Sequence, residues 1–104
     1  MAFELYHEPA SELSQEVRTF ARMMMNLIEE AEAIDWYEQR MSLEKDKVAK
    51  AIMHDAQHEE VKHFGMDLEF LLRKKPKWRE MLKGILFQEG DIVKHADTAE
   101  EKSE

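Results

Sequence analysis

Cysteine is absent from the 104 residues, so no disulfide staples the chain and no thiolate is available to a metal. Glycine occurs three times and proline twice, which leaves few breaks and predicts long helices. No run of about 18 apolar residues exists, so no transmembrane helix is expected. The first ten residues, MAFELYHEPA, lack a basic leader and a long apolar core. No signal peptide is read from them, and the expected location is the cytoplasm. Basic residues are outnumbered, 15 Lys and Arg against 23 Asp and Glu, for a net charge of −8. That balance disfavours nucleic acid and anionic membranes as partners and favours cations.

What is present is 43% hydrophobic and 37% charged, too apolar for a disordered chain and very charged for an ordinary globule. The length allows a single domain spanning residues 1–104. Any metal would be held by carboxylate and imidazole, a donor set suited to iron or manganese, with zinc able to intrude.

Residues 1–10 read as an irregular lead-in ending at Glu8-Pro9. Ser11 is the first candidate for the N-cap of a helix reaching about Arg40, and Ser14 the second. Leu13, Val17, Phe20, Met24, Leu27, Ala31 and Ile34 recur in steps of four and three, a sustained heptad seam. Met23, Tyr37 and Met41 broaden that face. Ser42 marks a turn and the next N-cap. A second helix then runs to Lys75, where Pro76 stops it. At about 30 residues it would be roughly 45 Å long. Its stripe reads Ala49, Met53, Ala56, Glu60, His63, Asp67 and Phe70, flanked by Phe64 and Leu71. Lys77 to about Phe87 predicts a shorter amphipathic helix. Gly90 ends it, and Asp91 caps a last weak helix over about 92–101. Residues 92–104 read as a peripheral tail with a frayed end.

The chemistry lies in Glu60-Val61-Lys62-His63. Residues three apart share a helix face, so this carboxylate and imidazole can grip one ion from the same side. Bundles that hold two irons use Glu-x-x-His twice and add a glutamate from each of two further helices. This chain has the motif once in a suitable setting. In an antiparallel hairpin turning near residues 42–46, Glu30 stands level with Glu60. Glu29 and Glu32 pass the same level test but point to the polar side, whereas Glu30 lies among Met23, Leu27, Ile34 and Tyr37. A lone hairpin cannot bury two apolar faces, so the chain is expected to self-associate. Two copies complete a four-helix bundle and a carboxylate-bridged di-metal ligand set of Glu30, Glu60 and His63 from each chain. The apolar wall of Met23, Leu27, Ile34 and Phe64 would keep out bulk water, and Asp67 is the candidate partner for the outer nitrogen of His63.

EEAEAIDWYEQR (29–40) and HEEVKHFGMDLEFLLR (58–73), with Lys77-Trp78 and the Leu86–Gly90 stretch LFQEG, closely resemble the encapsulated ferritins. The resemblance runs from about residue 7 to 95, with its motifs in order and at matching spacing. It implies an all-α half-ferritin hairpin and a ferroxidase that oxidises Fe(II) to Fe(III) with dioxygen. The di-iron site would form where two chains meet, with Glu30, Glu60 and His63 as ligands and Tyr37 close by. Glu29, Glu32 and Trp36 match the family's secondary metal-attracting region, through which iron approaches. The resemblance further implies an open ring of ten chains, loaded into an encapsulin nanocompartment through a C-terminal targeting peptide. No such peptide is recognised before Glu104.

Structural readings stand beside these. Glu60 and His63 also suit a buried polar pair that sets bundle register, and Glu30 a buried ion pair. A helical oligomer or adaptor built on them would bind no iron. His54 and His58, at i and i+4, are able to chelate a metal at the surface, or simply form a solvated face roughly opposite Glu60. Met23, Met24 and Met25 point in different directions around the helix and read as packing. Arg73-Lys74-Lys75 complements a helix C-terminus.

Overall fold

The computed structural model describes residues 4–103. The described chain is all-α, 79% helix with no strand, and its two long helices run antiparallel as a half ferritin-like bundle. A short 3-10 turn at Ala10–Glu12 is followed by α1 (Gln15–Leu43), α2 (Lys47–Arg73), α3 (Pro76–Lys83) and α4 (Ile92–Ser103). The lead-in's first three residues and Glu104, at the end expected to fray, lie outside the described residues. The chain divides into two units, Met1–Glu69 and Phe70–Glu104, with the boundary inside α2. Among the described residues no helix is long and apolar enough to cross a membrane.

In the first unit, Ser14 rather than Ser11 caps α1: its hydroxyl accepts from the Val17 amide at 3.2 Å. Ser11 is taken up by the 3-10 turn, whose Ala10 carbonyl accepts from the Arg18 guanidinium. The hairpin turn also falls later than the serine rule suggests. Ser42 sits inside α1 and returns its hydroxyl to the Gln39 carbonyl at 2.6 Å, a bond that satisfies it within the helix. Asp46 does the capping, accepting from the Ala49 amide at 2.9 Å and leaving Glu44 to Asp46 as the turn. Asp is as good a cap as Ser, and the later position simply adds a turn to α1.

The apolar stripe of α2 is as expected. Ala49, Met53, Ala56, Glu60, His63 and Phe70 are half-buried and Asp67 is buried, joined by half-buried Gln57, Phe64, Leu68 and Glu69, while most of the other positions between face outward. Gln57 adds a link that periodicity does not reveal. Its amide donates across to α1, to the Ile34 carbonyl at 3.1 Å and to Glu38 at 2.9 Å. Even so, the single chain covers little of its apolar surface: Val17, Trp36, Leu43, Val48, Ile52, Val61 and Met66 are all exposed.

In the second unit, Pro76 opens α3 at its first turn, where a missing amide hydrogen costs nothing. The helix ends at Lys83, short of the expected Phe87, because Gly84 closes it and Phe87 takes a left-handed backbone (φ 61). Asp91 caps α4 as expected, accepting from the Lys94 amide at 3.0 Å. The helix runs on to Ser103, so the predicted fraying does not begin at Ala99. That side chain is buried, and a Cβ on Gly84 would stand 2.8 Å from its Cβ. Small residues on both sides let α3 and α4 approach closely, and that packing holds α4 in place.

Candidate metal centre

The candidate ligands come from facing positions on α1 and α2 in the first unit. Glu60 and His63 are one turn apart on α2, with His63 Nδ1 3.6 Å from Glu60 Oε1. Their side chains keep 28% and 43% of their accessibility, His63 the more exposed, so in one chain the pair is open on one side. Glu30, on α1, has its Oε2 atom buried. It lies close enough to Glu60 for their charges to repel, which brings together the carboxylates that the level-and-face argument selected.

Asp67 has a different neighbour from the one expected. It is 7% exposed, and its carboxyl meets Glu30 at hydrogen-bonding range. Two carboxylates cannot bond without a proton between them. No donor of the described chain reaches Glu30 Oε2 or Asp67 Oδ2, and both atoms are buried. Burial is the main force on Glu30, followed by the hydrogen bond to Asp67 and the negative charges of Asp67, Glu60 and Glu29. Together they raise it from 4.5 to about 7. Buried oxygens without donors are costly, and either a proton or a cation satisfies them. A hard cation is thus one of the two species that would satisfy these oxygens.

The residues expected around the centre spread out. Tyr37 is half-buried, with the Arg40 guanidinium 5.4 Å from its ring centroid. Glu29 and Trp36 are exposed, and Glu32 is half-buried. Among the described residues no three His, Asp or Glu side chains of a single chain converge to hold a metal. Sequence reasoning picked out Asp67 as a stripe residue but gave it to His63. Its place one turn beyond His63 suggested that choice, whereas the structure turns it toward α1.

Known proteins resemble this chain in sequence and fold. The family described as EncFtn-like matches residues 5–89. A ferritin-like protein of Thermotoga maritima is 42% identical over 88 residues, 85% of this chain and 77% of its own length. An encapsulated ferritin-like protein of Rhodospirillum rubrum is 41% identical over 99 residues, 93% of this chain and 71% of its own. A crystal structure of a Nitrosomonas europaea protein superposes with a TM-score of 0.81 at 42% identity, covering 85% of this chain and 97% of that one. With the family pattern spanning the hairpin that carries Glu30, Glu60 and His63, this chain belongs to the EncFtn-like family of ferritin-like proteins.

Proposed function

We propose that the chain is a ferroxidase whose substrate is Fe(II) and whose oxidant is dioxygen. Its di-iron site is completed by a second copy, so that Glu30, Glu60 and His63 of each chain contribute ligands. One observation carries this reading: the buried, donor-less carboxylate oxygens of Glu30 and Asp67 lie in the same helix pair as Glu60 and its neighbour His63. Family membership supports a ferritin-like, iron-handling role.

Each residue has a task in this scheme. Glu60 and His63 present an oxygen and a nitrogen to one side of the ion, and a neutral imidazole fills a position without adding negative charge. Glu30 supplies the carboxylate from the opposite helix and, from two chains, a bridge between ions. Carboxylates favour the product of oxidation, since Fe(III) is the harder cation. Asp67 holds Glu30 in place through their shared hydrogen bond, and Glu30 sheds its proton when a cation binds. By the family resemblance, Tyr37 would stand near the site, and Glu29, Glu32 and Trp36 would draw ions toward it.

The apolar surface left exposed on α1 and α2 supports self-association. A dimer completes the bundle, and a ring-shaped decamer is the larger assembly proposed. The Rhodospirillum rubrum relative is named as encapsulated, which supports delivery into an encapsulin nanocompartment in the cytoplasm, where oxidised iron is stored as mineral. The rival is a non-enzymatic helical oligomer or adaptor, in which the same buried groups set register. Aerobic Fe(II) oxidation, followed by ferric absorbance, separates the two. The wild type should run well above the buffer rate and Glu60→Ala should fall back to it. A wild-type oligomer that oxidises iron no faster than buffer would leave the adaptor reading.

A further inference from the structure

The hairpin carries a second pair of metal-binding side chains, apart from the carboxylates. His54 and His58 lie one turn apart on α2, both exposed. Their ring centroids are 6.0 Å apart and their planes are inclined by 24°. Among the described residues neither ring is hydrogen-bonded to another side chain. A Zn²⁺ ion sits about 2.0–2.1 Å from each imidazole nitrogen that binds it. An ion held between two such rings therefore spans a centroid separation of this order. The spacing is also the chelating one, since residues four apart on a helix stand one above the other.

The surroundings favour a cation. Asp55 and Glu59 are also exposed on this stretch of α2. Of the two lysines one turn from the pair, Lys50 and Lys62, the second is drawn aside to Glu59, its Nζ 3.6 Å from Glu59 Oε2. At about 100° per residue, the two histidines point some 120–180° away from Glu60 and His63 around α2. A second copy covering the Glu60 face leaves them open to solvent.

We propose that His54 and His58 form a bidentate surface site for a late divalent metal, Zn²⁺ above all, with water completing the coordination. Nitrogen-only donors select differently from the carboxylates. Along the first-row series imidazole favours zinc, copper and nickel, whereas Glu30 and Glu60 suit iron. The two sites thus sort metals by donor type on opposite faces of one helix.

The test uses the untagged full chain in a Glu60→Ala background, which separates this site from the proposed di-iron centre. Zinc is titrated calorimetrically into that protein and into the same protein carrying His54→Gln, His58→Gln or both. We expect one zinc per chain in the Glu60→Ala protein. Either single substitution should weaken it at least about tenfold, because chelation by two linked groups is lost as a unit. Circular dichroism should show unchanged helix in every variant. An isotherm unchanged by the double substitution overturns the proposal. So do single variants that each keep near-full affinity, which would mean two independent imidazoles on a hydrated face. Zinc binding that vanishes with Glu60→Ala alone assigns the ion to the carboxylate centre and overturns it as well.

Discussion

The two units differ in whether they bury charge. Among the described residues of Met1–Glu69 the buried side chains are Met41 and the carboxylate Asp67, with the Glu30 Oε2 atom buried beside it. In Phe70–Glu104 they are Leu71, 2% exposed, and Ala99, whose Cβ lies on Gly84. The second unit spends its buried positions on packing, which stabilises it at about 25 cal/mol per Å² of apolar surface. The first unit buries carboxylates, which stability alone would exclude, while leaving its apolar seam half-covered. This contrast is what the proposed reading rests on: buried carboxylates suit a cation, and a half-covered seam suits a second copy.

Substitutions that act on one unit should leave the other's property untouched. The largest stability effect is expected from Gly84→Ala. Its new Cβ meets the Ala99 Cβ, which is fixed to the backbone of α4 and cannot swing away. Overpacking of this kind costs about 1–3 kcal/mol, and thermal melting measures it. Adding Ala99→Gly should restore part of the loss, a coupling that a double-mutant cycle isolates. Iron oxidation should survive both changes, because neither residue belongs to the carboxylate unit.

The carboxylate unit should reveal itself through pH. Glu30 is raised from 4.5 to about 7, so the metal-free folded state holds its proton more tightly than the unfolded chain does. That stabilisation is fully present below about 4.5 and is lost as pH rises through about 7. Metal-free melts in chelator should therefore weaken over that window, and Glu30→Gln should flatten the slope. Asp67→Asn removes the charge that opposes Glu30 and offers it a donor. It should bring the Glu30 titration, followed by NMR, back toward the ordinary carboxylate range. A slope identical in wild type and Glu30→Gln would show that the buried pair contributes nothing to linkage.

A smaller effect is expected at Phe87, fully exposed and at φ 61. A left-handed backbone costs a non-glycine residue roughly 1–2 kcal/mol, and Asn tolerates it better. Phe87→Asn should raise the melting temperature slightly with oxidation unchanged. A fall in stability would mean that the ring is packed in an assembly.

Much of the hairpin was legible before the structure. The steps of four and three placed Glu60, His63 and Asp67 on the inward stripe of α2, and Asp91 marked the start of α4, whereas α2 ends at Arg73, two residues short of the expected Lys75, and Pro76 opens α3 instead of only stopping α2. The capping serines misled because Ser42 satisfied its hydroxyl on its own helix and Asp46 stood free to cap the next. Ala99 was given to a frayed tail because a small residue among charges has no periodic signal; its value lies in Gly84, fifteen positions away at the end of another helix. The Glu30–Asp67 contact was hidden for a similar reason. Helical spacing orders residues along one helix, but which of two acidic neighbours a buried glutamate leans toward depends on side-chain reach across the hairpin. The link from Gln57 to Ile34 belongs to the same class.

The central claim is that one chain carries half a metal centre. Native mass spectrometry of the full chain, titrated with Fe(II) under anaerobic conditions or with Zn(II), tests it directly. The account predicts that ions bind tightly to paired chains, about two per pair, that single chains stay bare at the Glu60 site, and that added metal shifts the population toward pairs and larger rings. Single chains that load the same ions with the same affinity, in a manner lost with Glu60→Ala, would contradict it and make the centre the property of one hairpin.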